Sequence, residues 1–415
     1  MKILMVNKFF FIKGGVERYF FELSEILKTH NHSVIPFSMK HPQNYSSDYE
    51  EFFIENIDYH QISFRKNPFR SLSVFLKMIY SLEAKRKMEK LIDKVKPDVA
   101  HLHMIDHQIS PSILSVFHKH NIPVIYTAHH YKLVCPNYRL FNTRTRTICE
   151  KCLDGHYYHP FIERCHKNSL IASLMISVET SIHKLFRLYE DNIDVFHAPS
   201  HFMEGKLIEA GIDRRKVEYL SFPIRIDQFV PDYNFQDYFV YYGRLSEEKG
   251  IISLLKAMKQ VRSSRLVLVG EGPERNKLEE FISQNQIPNV TFTGYKQSDE
   301  LRAILAKAKF VVMPSEWYEN APFVIYESFA MGKPVIGSDL GGIPELIEPE
   351  RTGLIFKSGD VEMLAANINF LLSSDKRIIS YGKRARIQAE KQFSPDIHYK
   401  KIMEKYNRML KKEKK

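Results

Sequence analysis

Short apolar runs alternate along this chain with longer amphipathic stretches, the pattern of parallel β-strands joined by crossover helices. In the first half the runs predict strands at Ile3–Val6, Ser33–Phe37, Asp98–Leu102, Pro123–Thr127 and Asp194–His197, with one more at Val217–Tyr219. The segment from Phe222 to Pro231 carries two prolines and interrupts the alternation. A second series follows at Tyr238–Tyr242, Arg265–Val269, Val290–Thr293, Phe310–Met313, Pro334–Gly337 and Gly353–Phe356. The expected class is therefore α/β: two doubly wound Rossmann-like domains, 1–222 and 223–393, with a ligand in the cleft where the strands' carboxyl ends meet. Residues 394–415 read as a C-terminal helix whose basic end, Lys-Lys-Glu-Lys-Lys, frays into solvent or packs back on the first domain.

The 415-residue length fits two cores better than one. A hydrophobic fraction of 44% and a charged fraction of 26% exclude a disordered or fibrous chain, and no internal repeat is visible. Met1 to Val6 is too short for a signal peptide, and no run approaches a transmembrane length, so a cytoplasmic location is expected. Lys and Arg outnumber Asp and Glu by 60 to 49, a net charge of +11 that suits an anionic partner: a sugar nucleotide, lipid headgroups or nucleic acid. No nucleic-acid recognition motif accompanies the charge.

Chemistry concentrates in the second half. Gly243 to Gly250 places Arg244 and Lys249 between a strand and a helix, where backbone amides, the helix dipole and two cations can cradle a diphosphate. In the run from Pro314 to Glu327, Glu319 lies in a polar turn and Glu327 in the helix that turn opens. Such paired carboxylates can hold hydroxyls of two joined moieties, a sugar and a ribose, while the amides between them meet phosphates. Gly341-Gly342 adds a second backbone-rich turn.

Together, Arg244 with Lys249, Glu319 with Glu327, and the run Gly-Lys-Pro-Val-Ile-Gly-Ser-Asp…Gly-Gly-Ile-Pro-Glu resemble family 4 of the retaining glycosyltransferases, of GT-B fold with its two domains facing a central cleft. The resemblance implies transfer of a sugar from a nucleoside diphosphate donor, UDP- or GDP-linked, to a saccharide or polyprenyl-linked saccharide, in polysaccharide, lipopolysaccharide or glycoconjugate assembly. It assigns the diphosphate to Arg244 and Lys249, sugar hydroxyls to Glu319, ribose hydroxyls to Glu327, and donor contacts to Asn320, Ala321, Pro322, Phe323 and Val324. It implies no metal for the chemistry. A nucleotide-sugar epimerase of the same fold, or a non-catalytic binding subunit, are the alternative readings.

The first half is then the acceptor domain. Gly14-Gly15 after the first strand allows close approach of a phosphate or sugar, and the family has a similar pair, which adds Gly15 to the donor contacts. His129, at the carboxyl end of the strand Pro123–Thr127, matches a family histidine and is the candidate for contact at the reacting centre. Relatives often have aspartate next where this chain has His130, which leaves open which histidine faces the ligand. Seven of 18 histidines lie between His101 and His130, yet the His101, His103, Asp106, His107 run is one residue too long for a metallohydrolase motif.

All four cysteines, Cys135, Cys149, Cys152 and Cys165, fall in the insertion 131–168. The Cys-x-x-Cys and its neighbours point to a structural zinc site, with His156, His159 and His166 as substitute ligands; buried thiols and an iron–sulfur or redox pair are the alternatives. Two segments, Phe64–Met88 and Leu170–Leu188, mix apolar and basic residues and suit either the core or the surface of an anionic membrane.

Overall fold

The structure is a computed structural model that describes residues 1–57, 67–261 and 263–413. It contains two compact units, one of Met1–Leu220 with His398–Lys415 and one of Ser221–Ile397.

The first unit is built on β1 (Lys2–Val6), β2 (Ser33–Phe37), β3 (Val99–Leu102), β4 (Val124–Thr127), a two-residue pair β5 (Phe141–Asn142) and β6 (Thr147–Ile148), β7 (Val195–Ala198) and β8 (Val217–Tyr219). Six of these form a sheet in the order β2-β1-β3-β4-β7-β8, parallel throughout, and β5–β6 is a separate antiparallel hairpin. Strands β3, β4 and β7 are buried along their whole length, as a parallel sheet covered by helices on both faces requires. The order reverses between β1 and β3, so their carboxyl ends splay and leave a crevice.

The second unit repeats the design with β9 (Tyr238–Tyr242), β10 (Arg265–Val269), β11 (Val290–Gly294), β12 (Val311–Met313), β13 (Val335–Ser338) and β14 (Gly353–Phe356) in the order β11-β10-β9-β12-β13-β14. All of its pairings are parallel. Phe239 and Phe310 stack at 4.8 Å in its core, beside Leu254, Leu266, Leu268 and Ile336. Its switch point lies between β9 and β12.

Strand ends differ from the sequence reading by about one residue. β4 and β13 start after Pro123 and Pro334, because proline has no N–H for the ladder. The amphipathic run read as Phe64–Met88 is two helices, Pro68–Ile79 and Leu82–Val95, and residues 64–66 lie outside the described residues. The break is at Tyr80, whose backbone is extended, and at Ser81, whose side chain accepts from Ala84 N and caps the second helix.

The C-terminal helix expected at 394–415 runs from Pro395 to Glu413 and packs on the first unit, and the last two residues of its basic end, 414 and 415, lie outside the described residues. From His398 onward its buried residues His398, Ile402, Tyr406 and Met409 recur at helical spacing and complete the core of the first unit. Tyr399 stacks on His30 at 3.6 Å, and Lys405 pairs with Glu218 at 2.6 Å.

Candidate functional site

The loops after β9 and β12, either side of the switch point, carry the charged residues of the second unit. After β9 the chain turns at Gly243 (φ +145°) and passes Arg244, which is exposed and has no ion-pair partner among the described residues. Lys249 ends a 3₁₀ turn, Glu247–Lys249, and Gly250 (φ +68°) starts the helix Ile251–Met258. A Cβ on Gly250 would stand 1.9 Å from Pro314 O, so glycine is what lets the two loops touch.

After β12, Glu319 is buried and one of its oxygens gathers three donors. Its Oε1 accepts from Lys249 Nζ at 2.5 Å, Ser315 Oγ at 2.8 Å and Trp317 Nε1 at 2.8 Å. Lys249 Nζ also lies 5.3 Å from the Trp317 ring centre. Its Oε2 has no hydrogen-bond partner among the described residues and is not sealed from solvent. Gly342 N donates to Glu319 O at 2.7 Å, and a Cβ on Gly341 (φ +63°) would come within 2.1 Å of that carbonyl. The Gly-Gly turn thus fixes the backbone of Glu319 from behind.

Asn320, Ala321 and Pro322 lead from Glu319 into the helix Phe323–Ala330, which has no side-chain N-cap, so the amides of its first turn and its dipole form an anion-binding end. Tyr242 Oη donates to Val324 O at 2.7 Å and ties this helix to the end of β9. Glu327 lies buried one turn into the helix. The structure therefore brings together Lys249 and Glu319, with the segment 320–324 directly following. Gly15 belongs to the other unit, where it is the exposed first residue of the helix Gly15–Thr29.

Sequence reasoning missed Ser315 and Trp317 as the donors that orient Glu319. The available signal was the chain's one tryptophan, set in a polar loop two residues before the glutamate.

In the first unit, His129 and His130 have different tasks. His130 Nε2 pairs with Asp106 Oδ2 at 2.6 Å and its Nδ1 accepts from Lys132 N at 3.2 Å, so both ring nitrogens hold the loop. His130, with the burial that opposes it overcome, keeps the Asp106 carboxyl ionised far below its usual range. His129 Nε2 meets His103 Nδ1 at 2.9 Å, and burial pushes its pKa well down, so it is a neutral imidazole at physiological pH. Glu17, beside Gly14-Gly15, is buried, and that burial raises its pKa.

His101 is core: its Nδ1 meets Tyr406 Oη at 2.6 Å and its Nε2 meets Thr127 Oγ1 at 2.7 Å, so neither nitrogen is left for a metal. Among the described residues, no group of three or more His, Cys, Asp or Glu side chains is placed to hold a metal ion, the four cysteines of the insertion included, and no helix is long and apolar enough to cross a membrane.

Residues 13–228 match the family model Glycosyltransferase Family 4, and residues 226–388 match Glycosyl transferases group 1. The sulfoquinovosyl transferase SQD2 of Arabidopsis thaliana is 34% identical over 155 residues, 37% of this chain and 30% of that protein. The amylovoran biosynthesis glycosyltransferase AmsK of Erwinia amylovora is 27% identical over 177 residues, 40% of this chain and 44% of that protein. The matched stretch spans less than half the length of either relative. Among solved structures, Anabaena HepE in complex with UDP-glucose superposes with a TM-score of 0.65 at 16% identity, covering 98% of this chain and 99% of that one. That likeness gives the fold, two Rossmann-like domains of the GT-B type.

Proposed function

Since the chain belongs to glycosyltransferase family 4, we propose that it moves a sugar, with retention of anomeric configuration, from a UDP- or GDP-sugar to a hydroxyl of a saccharide or lipid-linked saccharide in polysaccharide or glycoconjugate assembly. The observation that carries this reading is Glu319: three donors hold one carboxylate oxygen, and the other is left to accept hydroxyl protons of a sugar. Lys249, held by that same carboxylate, and Arg244 on the same turn would supply the charge for a diphosphate, with amides from the first turn of the helix Phe323–Ala330, which lacks a side-chain cap. The UDP-glucose in the structurally similar Anabaena protein is in keeping with such a donor.

In this reading the bond between the anomeric carbon and the diphosphate oxygen breaks while the acceptor hydroxyl gives its proton to the departing diphosphate. The new glycosidic bond then forms on the face the nucleotide leaves. Arg244 and Lys249 offset the charge that grows on the leaving oxygens, the preorganised electrostatic contribution expected to dominate such a transfer. Glu319 positions the sugar and Glu327 the ribose, and neither acts as nucleophile. His129, kept neutral by burial, is a hydrogen-bonding group here and not an acid.

The lipid-linked form of the acceptor has support on the surface of the first unit. The helices Pro68–Ile79 and Leu170–Leu185 pack together and leave Phe69, Leu72, Leu76, Leu170, Ile171 and Leu174 exposed, near Arg70 and Lys77. Apolar side chains among cations fit the surface of an anionic bilayer.

The test is to offer UDP- and GDP-sugars with and without saccharide acceptors and to read the anomeric configuration of the product by NMR. Transfer with retention supports the reading. Inversion, or conversion of the donor without an acceptor as an epimerase would do, contradicts it.

A further inference from the structure

The loop that leaves β1 carries side chains that the donor site does not use. It reads Lys8-Phe9-Phe10-Phe11-Ile12-Lys13 and emerges at the switch point of the first sheet, beside β3. Neighbouring loops fix its backbone: Lys8 N donates to Met104 O at 2.9 Å, and Lys8 O accepts from Met39 N at 3.3 Å and Ser38 Oγ at 3.0 Å. Buried Asn7 adds a clasp, accepting from Met104 N at 3.2 Å and donating to Phe9 O at 2.8 Å and Glu17 Oε1 at 3.3 Å. The loop is thus tied to the segments that follow β2 and β3 and to the helix Gly15–Thr29.

Three rings form a platform on it. Phe11 stacks on His41, from the segment after β2, with ring centres 4.5 Å apart and planes at 22°, and Phe9 meets them edge-on at 5.3 Å and 6.2 Å. Phe9 and His41 are half-buried, and Ile12 in the same loop is exposed. His41 Nδ1 accepts from Gln43 N at 3.2 Å, which leaves the ring proton on Nε2, a donor with no partner among the described residues. Two cations converge on Phe9: Lys13 Nζ lies 4.1 Å and Lys8 Nζ 5.4 Å from its ring centre, and neither makes a hydrogen bond or ion pair among the described residues. Burial lowers the pKa of Lys8 despite the pull of Asp106 and Glu17, and Lys13 lowers it further. Neither carboxylate is committed to it. Asp106 pairs with His130 at 2.6 Å, and Glu17 takes the Asn7 amide and backbone N–H bonds at the start of its own helix, so that helix end is already capped. Two ammonium groups that share one ring, half out of water and without a counter-charge, repel each other until an anion joins them.

We propose that this platform binds an acidic saccharide. A sugar ring rests its C–H face on the Phe9, Phe11 and His41 rings, its carboxylate or phosphate meets Lys8 and Lys13, and one of its hydroxyls accepts from His41 Nε2. Aromatic rings with a donor at their rim suit the mixed C–H and hydroxyl surface of a pyranose, and the paired ammonium groups call for a negative charge on it. A net charge of +11 draws such a polymer to the protein. Calling the saccharide an acceptor, and the product a longer acidic polymer, rests on the transferase reading above; the binding itself does not.

The experiment presents the full chain to an array of oligosaccharides that bear uronates, bear phosphates or are neutral, and titrates the best of each class by calorimetry. Acidic saccharides are expected to bind at least about tenfold more tightly than neutral ones of the same length, with the advantage shrinking as salt rises, and whichever of the two acidic arms binds identifies the group. Lys13→Gln, at an exposed position, and Lys8→Met should each remove the preference for charge, whereas Phe9→Ala should weaken acidic and neutral saccharides alike. If Lys8→Met fails to fold, Lys13→Gln alone decides. UDP and GDP titrated into the same variants should bind as they do to the wild type. No binding of an acidic saccharide, equal binding of neutral ones, a preference that survives Lys13→Gln, or loss of nucleotide affinity in that variant, which would give the cations to the donor, overturns the proposal. A saccharide preference in a chain that binds no nucleotide upholds the platform and contradicts only the transferase reading.

Discussion

Glu319 is held by Ser315, Trp317 and Lys249 on one oxygen, so its charge and its direction are separable by mutation. Glu319→Gln keeps the shape and removes the charge that anchors Lys249; steady-state kinetics should show transfer falling about 100- to 1000-fold while circular dichroism stays native. Gly341→Ala acts on direction: a Cβ at φ +63° meets Glu319 O at 2.1 Å, so the variant should melt lower, by about 1 kcal/mol or more, and bind nucleotide sugar weakly. Lys249 and Glu319 were each legible as candidates because both sit in motifs whose order along the chain is distinctive, but their ion pair was not. Ser315 and Trp317 were not legible, since whether they reach Glu319 depends on a loop shape imposed by Gly341 and Gly342, from a different strand-to-helix turn.

Among elements, the last helix and the histidines at the sheet's carboxyl edge make one connected core in the first unit. Tyr406→Phe leaves His101 Nδ1 without its partner at 2.6 Å, a cost of about 1–3 kcal/mol readable by denaturant unfolding, and removal of residues 398–415 should leave the first unit unable to fold. The same core sets a pH dependence. Burial, with a smaller effect of His398, holds His101 at about 3, and His103 and His197 lie well below their usual value of 6.5 for the same first cause. The unfolded chain therefore binds more protons below about 6.5. Stability is full above that pH and falls as pH drops toward 3, by up to about 1.4 kcal/mol per pH unit for each histidine. Thermal melts should thus fall from pH 7.5 to 5.5, and an unchanged midpoint would contradict the buried neutral histidines. Strands were legible to about a residue because the inner strands of both sheets are buried on both faces. The fused reading of Phe64–Met88 failed at Tyr80 and Ser81, where a local extended residue and a cap override a continuous amphipathic pattern, and the β5–β6 hairpin is too short to leave a periodic trace.

At the scale of the whole molecule, the two sheets share one plan, and the second unit places its charged loops where that plan reverses direction, between β9 and β12. That placement follows from strand order, which the alternation of runs predicts only as a class; the particular order is set by which strands pair. The exposed apolar side chains of the first unit predict cosedimentation with anionic vesicles, reduced by replacing Phe69, Leu72 and Leu76 with serine and by high salt. The central claim, a sugar-nucleotide site built on Lys249 and Glu319, is tested most directly by calorimetric titration of UDP and GDP into the wild-type chain and Lys249→Ala. The account predicts that one nucleotide binds the wild type and binds the variant at least about tenfold more weakly, the loss of one charge-assisted contact. Equal affinity for both chains, or no binding of either nucleotide, would contradict it.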